Sequence, residues 1–329
     1  MPENSLPAGR LALMLSSAVD PERTLEVARA AEEAGVARLW VTEDYFRKGG
    51  FSSAAAVLAA TERLEVGLGV VSVFTRHPAV TAMEAATIGR MFPGRFAPGV
   101  GLGVPHTLER MGLMPAKIVG SMRTQLAMLR ALLTGEKVTA SDEAATLEEV
   151  ALQWLPTGLP LHVAASGPLM LRFAAREADG LILSILSGPG YVEWVLGELA
   201  EPLAARATPL EVTVFAYVSC DPDAQVARMR AREFLATRLG HGDASALLTR
   251  SAHWHLLEPL MGLPPEELAV ALPDECIDDF TIAGDVEHCR RIAGALLASG
   301  ATELALCPIP TGDDYDFGPV LDLIRASTR

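Results

Sequence analysis

The sequence predicts an α/β chain folded as a (β/α)8 TIM barrel with insertions, and three observations carry that reading. The first is a repeated unit. "RTLEVARAAEEAGVARLWVTED", "LRFAAREADGLILSIL" and "RRIAGALLASGATELALCPIP" each run a helical pattern to a glycine (Gly35, Gly180 and Gly300) and then into a short apolar run. A glycine past the last turn supplies a left-handed cap, and an apolar run without alternation reads as a parallel strand buried on both faces. The second observation is that such runs number eight along the chain. The third is material: 329 residues, 50% of them hydrophobic and 21% charged, fill one large barrel domain spanning 1–329.

In order, the strand candidates are Leu11–Ser16, Leu39–Glu43, Leu64–Val71, Phe96–Gly103, Leu161–Ala165, Leu181–Ile185, Val212–Ser219 and Glu303–Cys307. The helix candidates are Pro21–Ala34, Ser53–Ala60, Val80–Met91, Gly120–Leu133, Leu169–Ala178, Gly190–Ala205, Asp223–Leu239 and Val286–Ala298. Helix and buried strand in alternation imply a parallel sheet, and in a barrel the chemistry sits on the loops after the strands' C-terminal ends. Two stretches exceed the minimal barrel: Thr134–Leu159 after the fourth helix and Gly240–Ile282 before the eighth. Such insertions cover a barrel mouth or build a subunit contact, and a homodimer is expected.

Composition excludes several classes. A net charge of −14 and a pI near 5.0 repel a phosphate backbone, so no nucleic-acid partner is expected. Cys220, Cys276, Cys289 and Cys307 form no C-x-x-C pair and read as reduced thiols in a cytoplasmic protein. "MPENSLPAGR" lacks the basic start and apolar run of a secretory signal. The longest uncharged stretch, Val150–Leu171, is broken by Pro156, Pro160 and Pro168, so no membrane span is expected. "HWH" at His253–His255 offers too few ligands for a metal site, and no G-x-S-x-G, H-E-x-x-H or Walker pattern occurs. A small-molecule substrate remains.

Three stretches at strand ends are candidates for it. "GVGLGVP" at Gly99–Pro105 lacks the third glycine of a dinucleotide fingerprint, yet its glycines let the backbone approach a phosphate or a flat ring; close strand packing is the alternative. In "VAASGPLML" a strand empties into Ser166-Gly167-Pro168, which aims the amides of a first helical turn outward to suit an anion; a helix cap by Ser166 is the alternative. In "WVTEDYF", Glu43 and Asp44 stand at the end of the second strand, placed for proton transfer, or else for capping or a solvated pair with Arg47 or Lys48.

Taken with "TERLEVGLGVVSVFTRHPAVTAMEAATIGRMFPGRFAPGVGLG" and "FTIAGDVEHCRRIAGALLASGATELALCP", these segments resemble the luciferase-like flavin and deazaflavin oxidoreductases. Within that family they resemble the branch of coenzyme F420-dependent methylenetetrahydromethanopterin reductase. The resemblance implies a non-prolyl cis peptide at Gly69–Val70 backing the redox ring, with Gly101, Leu102 and Gly103 lining it. Ala165, Ser166, Gly167 and Pro168 would hold the cofactor's phosphate and the start of its tail, with Glu43 and Asp44 near the ring as catalytic residues. It implies F420, with FMN as the alternative cofactor, and hydride transfer to or from a small organic substrate. The competing readings are an FMN-dependent monooxygenase and a barrel that binds flavin without turnover. Relatives often have Asp-His where Glu43-Asp44 stands, and Val104 occupies the place of an acid in a sugar-phosphate dehydrogenase branch. Pro98 is unexpected inside the fourth strand, because it cannot donate to a ladder.

Overall fold

A computed structural model describes residues 11–239, 245–312 and 314–327. In chain order the strands are β1 (Leu11–Leu15), β2 (Arg38–Val41), β3 (Glu65–Leu68), β4 (Val71–Ser72), β5 (Phe96–Ala97), β6 (Gly99–Gly101), β7 (Val138–Ser141), β8 (Thr146–Val150), β9 (His162–Ala164), β10 (Gly180–Leu183), β11 (Glu211–Cys220), β12 (Thr281–Gly284) and β13 (Glu303–Pro308). All but β7 and β8, an antiparallel hairpin inside the first insertion, belong to one parallel sheet. Its path runs β4-β6-β9-β10-β11-β13-β1-β2-β3-β5, with β12 added to β11.

The closed eight-stranded barrel expected from the sequence does not form. The sheet is open and curled, sweeping 342° with its edges 12 Å apart. The interruption falls in the third and fourth strands. β3 pairs β5 only over Val66–Gly67, and β4 pairs β6 only over Val71–Ser72. Between them lie the cis peptide Gly69–Val70 and Pro98. Pro98 has no N–H for the ladder, although its carbonyl accepts from His162 N at 2.9 Å.

Glycine in β3 and at its end is explained by what fills the interior. A Cβ on Gly67 would lie 2.4 Å from Trp40 Cε3, and one on Gly69 would lie 2.3 Å from Phe215 Cζ. Trp40 and Phe215, both buried with ring centroids 5.6 Å apart, take the volume those side chains would need. Gly35 and Gly300 adopt the left-handed conformation expected of helix caps. Gly180 does not: it opens β10, where a Cβ would lie 2.0 Å from His162 Cδ2.

Several elements escaped the sequence reading, among them the hairpin β7–β8 and the helix Pro105–Arg110, which Pro105 opens. β12 extends β11 alongside Tyr217–Cys220, beyond the point where β10 stops, and the helix Gly318–Ser327 packs against the sheet after β13. The second insertion carries the short helices Ala246–Thr249, Trp254–Leu257, Pro265–Ala271 and Asp274–Phe280, while its first residues, 240–244, lie outside those described. Among the described residues no helix is long and apolar enough to cross a membrane.

Candidate active site

At the C-terminal ends of the strands, neighbours in the sheet bring distant stretches of sequence together. β4, β6 and β9 lie side by side, so Val70, Gly101 and Ala164 touch: a Cβ on Gly101 would sit 3.0 Å from Val70 Cγ2 and 3.2 Å from Ala164 Cβ. The result is a floor of small residues running from the third strand to the fifth. Ser72 fixes its far side, donating from Oγ to Leu102 O at 2.6 Å. Gly103 has φ +83°, and a Cβ there would lie 2.4 Å from Tyr45 Oη, so both conformation and space require glycine.

The floor ends at an uncapped helix N-terminus. Gly167 is the N-cap of the helix Pro168–Glu177 with extended backbone, Pro168 opens the first turn, and no side chain caps it. Ser166 therefore does not act as the cap; its carbonyl instead accepts the Tyr191 hydroxyl at 3.0 Å. Ser166, Gly167, Pro168 and Leu169 are exposed, and a Cβ on Gly167 would meet nothing within 4 Å. First-turn amides presented this way favour negative charge. Val70, Gly101 and Ala164 thus meet at the strand ends, with Gly69 before them and Leu102, Gly103, Ala165, Ser166, Gly167 and Pro168 following directly in the chain.

The adjacent acids have different surroundings. Glu43 takes a bidentate pair from Arg76, Nη1 to Oε1 at 2.7 Å and Nη2 to Oε2 at 2.8 Å, and also accepts from Gly50 N at 2.8 Å. Its side chain is only 6% exposed. The partner comes from the Thr-Arg-His-Pro turn, not from Arg47 or Lys48, and the Gly50 contact caps the helix Gly50–Ala60. The hydrogen bonds and charge of Glu43 raise the Arg76 pKa against the burial that opposes it. Asp44 is half-buried and accepts from Ser17 Oγ at the end of β1. In the same turn Pro78 starts the helix Pro78–Met91, and His77 Nδ1 accepts from Ala79 N at 3.3 Å.

Residues that the sequence reading did not single out complete the mouth: Ser17, Tyr45, Ser72, Arg76, Arg238 and Tyr315. Arg76 stood inside the recognised turn and could have been found there. Arg238 and Tyr315 carry no local signal, since only the curl of the sheet brings them near β1. Among the described residues no group of three His, Cys, Asp or Glu side chains is placed to hold a metal. His253 pairs instead with Asp279, Nδ1 to Oδ2 at 3.0 Å.

The curled parallel sheet carries a small-residue floor that leads to an uncapped helix N-terminus, and the family and relatives that follow make this a deazaflavin- or flavin-binding oxidoreductase fold. The chain belongs to the luciferase-like monooxygenase family, whose pattern it matches over residues 5–303. It is 26% identical over 290 residues to the 5,10-methylenetetrahydromethanopterin reductase of Methanolobus tindarius, covering 84% of this chain and 87% of that one. It is 32% identical over 293 residues to the F420-dependent glucose-6-phosphate dehydrogenase of Beutenbergia cavernae, covering 83% of each. The fold is similar to that of the coenzyme F420-dependent tetrahydromethanopterin reductase of Methanopyrus kandleri, with a TM-score of 0.79, 20% identity and 98% of both chains covered.

Proposed function

We propose that this chain is a coenzyme F420-dependent oxidoreductase that transfers a hydride between the deazaflavin and a small organic substrate. The observation that carries the reading is the continuous floor from Val70 through Gly101 to Ala164, ending at the open amides of the Gly167–Met170 turn. A planar ring with a phosphate-bearing tail fits such a surface: flat backing, no side chain in the way, and an anion site at one end. When bound, the deazaflavin supplies two-electron hydride chemistry.

In this reading Val70 and the Gly69–Val70 peptide back the ring, Gly101, Leu102 and Gly103 line it, and Ala165, Ser166, Gly167 and Pro168 hold the phosphate end. Asp44 is the carboxylate available for proton movement, because Glu43 already has three donors and little exposure. Glu43 holds the loop after β2 against the third strand, and Ser17 orients Asp44. The F420-dependent glucose-6-phosphate dehydrogenase relative supports the deazaflavin over FMN. Side-by-side titrations of the purified chain test this. F420 is expected to bind at least tenfold tighter than FMN, a difference of about 1.4 kcal/mol. FMN binding as tight or tighter, with oxygen uptake when reduced flavin is supplied, replaces this reading with a monooxygenase.

A further inference from the structure

The mouth holds a second concentration of positive charge, on the side away from the floor. A cavity of about 560 Å³ opens beside β1 and β2, and its lining includes Ser17, Asp20, Arg47, Lys48, Arg238 and Tyr315. Among the described residues the lining carries three cations, Arg47, Lys48 and Arg238, against one acid, Asp20, in a chain of net charge −14. Lys48 is only 7% exposed, its ammonium bonds Thr24 Oγ1 at 3.3 Å, and no carboxylate lies within ion-pair distance of it among the described residues. Burial lowers its pKa to about 8, against the opposing charge of Asp20. Arg238 lies over the rings of Phe234 at 4.9 Å and Tyr217 at 5.6 Å and makes no ion pair among the described residues.

A buried ammonium whose nearest acid, Asp20, stands beyond ion-pair distance is costly, and a bound anion relieves that cost. We propose that this cavity receives a carboxylate or phosphate group of the substrate, with Lys48 and Arg238 as its charge partners. The assignment rests on the reading of the mouth as a redox site. Ser17 lines the cavity and donates to Asp44, so an anion held there leaves the rest of the substrate beside the proton-handling carboxylate. The cofactor's own anionic end is placed elsewhere. Its corner follows β9, which in the sheet is separated from β1 by β10, β11 and β13. Among the described residues, Asp20 on the lining and Asp44 behind Ser17 are acids beside the site, and both select against a substrate that places negative charge beyond the Lys48–Arg238 end.

Calorimetric titration of the full chain with inorganic phosphate and with succinate tests the proposal, using Lys48→Met and Arg238→Gln and a parallel titration with F420. Both probes are expected to bind, each substitution to weaken them at least tenfold, and F420 affinity to stay within twofold of wild type. Arg238 is exposed, so its variant remains informative should Lys48→Met fold poorly. Phosphate and succinate binding unchanged in both variants, or absent from the wild type, overturns the site. Loss of F420 binding in parallel with the probes overturns the assignment to substrate and gives the cavity to the cofactor's tail. Probe binding that depends on Lys48 and Arg238 in a chain that does not bind F420 upholds the anion site and removes the cofactor reading alone.

Discussion

At the N-terminal ends of the strands Arg38 meets three carboxylates, whereas at the C-terminal ends Lys48 and Arg238 meet none within ion-pair distance among the described residues. Arg38 donates to Glu65 Oε2 from Nε at 3.1 Å and Nη2 at 2.9 Å, and its Nη1 reaches Glu211 and Glu303. Glu303 also accepts from Trp40 Nε1 at 2.7 Å and Thr213 Oγ1 at 3.2 Å. Burial opposes the charge on Arg38, but Glu303, Glu211 and Glu65 outweigh it and raise its pKa. Burial likewise works against ionised Glu211, yet His162 and Arg38 bring it down to about 2. His162 Nε2 lies 3.5 Å from Glu211 Oε2, and neither ring nitrogen of this buried side chain makes a hydrogen bond among the described residues.

Every residue of this lower network except Trp40 and Thr213 begins a strand. Parallel strands starting at one level bring five polar side chains into one layer, in which His162 and Glu303 are buried and Glu65 and Glu211 reach solvent, so the buried ones depend most on a partner. The mouth has the same kinds of side chain without that closure. One pair there, Arg76 with Glu43, ties the turn after the third strand to the loop after β2, and another, Arg23 with Asp314, ties the loop after β1 to that after β13. Arg38 with its carboxylates ties strand starts together, whereas Lys48 and Arg238 keep charge without an ion pair among the described residues, on the side where a substrate is proposed to bind.

Three measurements break or sharpen this contrast. The largest effect is expected at the mouth. Asp44→Asn should bind F420 normally yet slow single-turnover hydride transfer by about 10²–10⁴-fold, the usual contribution of a positioned acid or base. A wild-type rate removes Asp44 from the chemistry and leaves the mouth without a proton carrier.

The next falls at the opposite end. Arg38→Met strands Glu303 and Glu211 without their counter-charge, and breaking a buried network in this way costs about 3–5 kcal/mol. The drop in urea unfolding midpoint should be large, while F420 affinity per folded molecule stays the same. A small loss of stability would mean that the lower network is no better closed than the mouth.

The smallest effect is a pH dependence. The folded pKa of Glu211, about 2, lies below its ordinary value of 4.5, so its stabilisation is complete above pH 4.5 and is lost as pH falls through 2. With the side chain 31% exposed, the amount is on the order of 2 kcal/mol. Burial pushes Glu303 up, which acts in the opposite sense, so the difference between wild type and Glu211→Gln is the measurement rather than the whole acid limb. Parallel stability curves for the two proteins between pH 5 and 2 would contradict the pairing.

By itself the sequence determined the element types and the candidate surface. Apolar runs of strand length, glycine caps at Gly35 and Gly300, and Pro78 opening a helix are local signals, readable because burial and backbone conformation constrain neighbouring residues directly. The strand-end motifs marked the Gly101–Gly103 and Ala165–Pro168 segments, and resemblance located the cis bond at Gly69–Val70. Only the tertiary structure decided that the sheet stays open, because whether two edges meet depends on how Pro98 and the break after β3 divide the ladder. It alone assigned Glu43 to Arg76, 33 residues away, and set Lys48 in one cavity with Arg238. A long charged side chain takes whichever partner the packed strands bring within about 3 Å, and periodicity along a single strand carries no record of that choice.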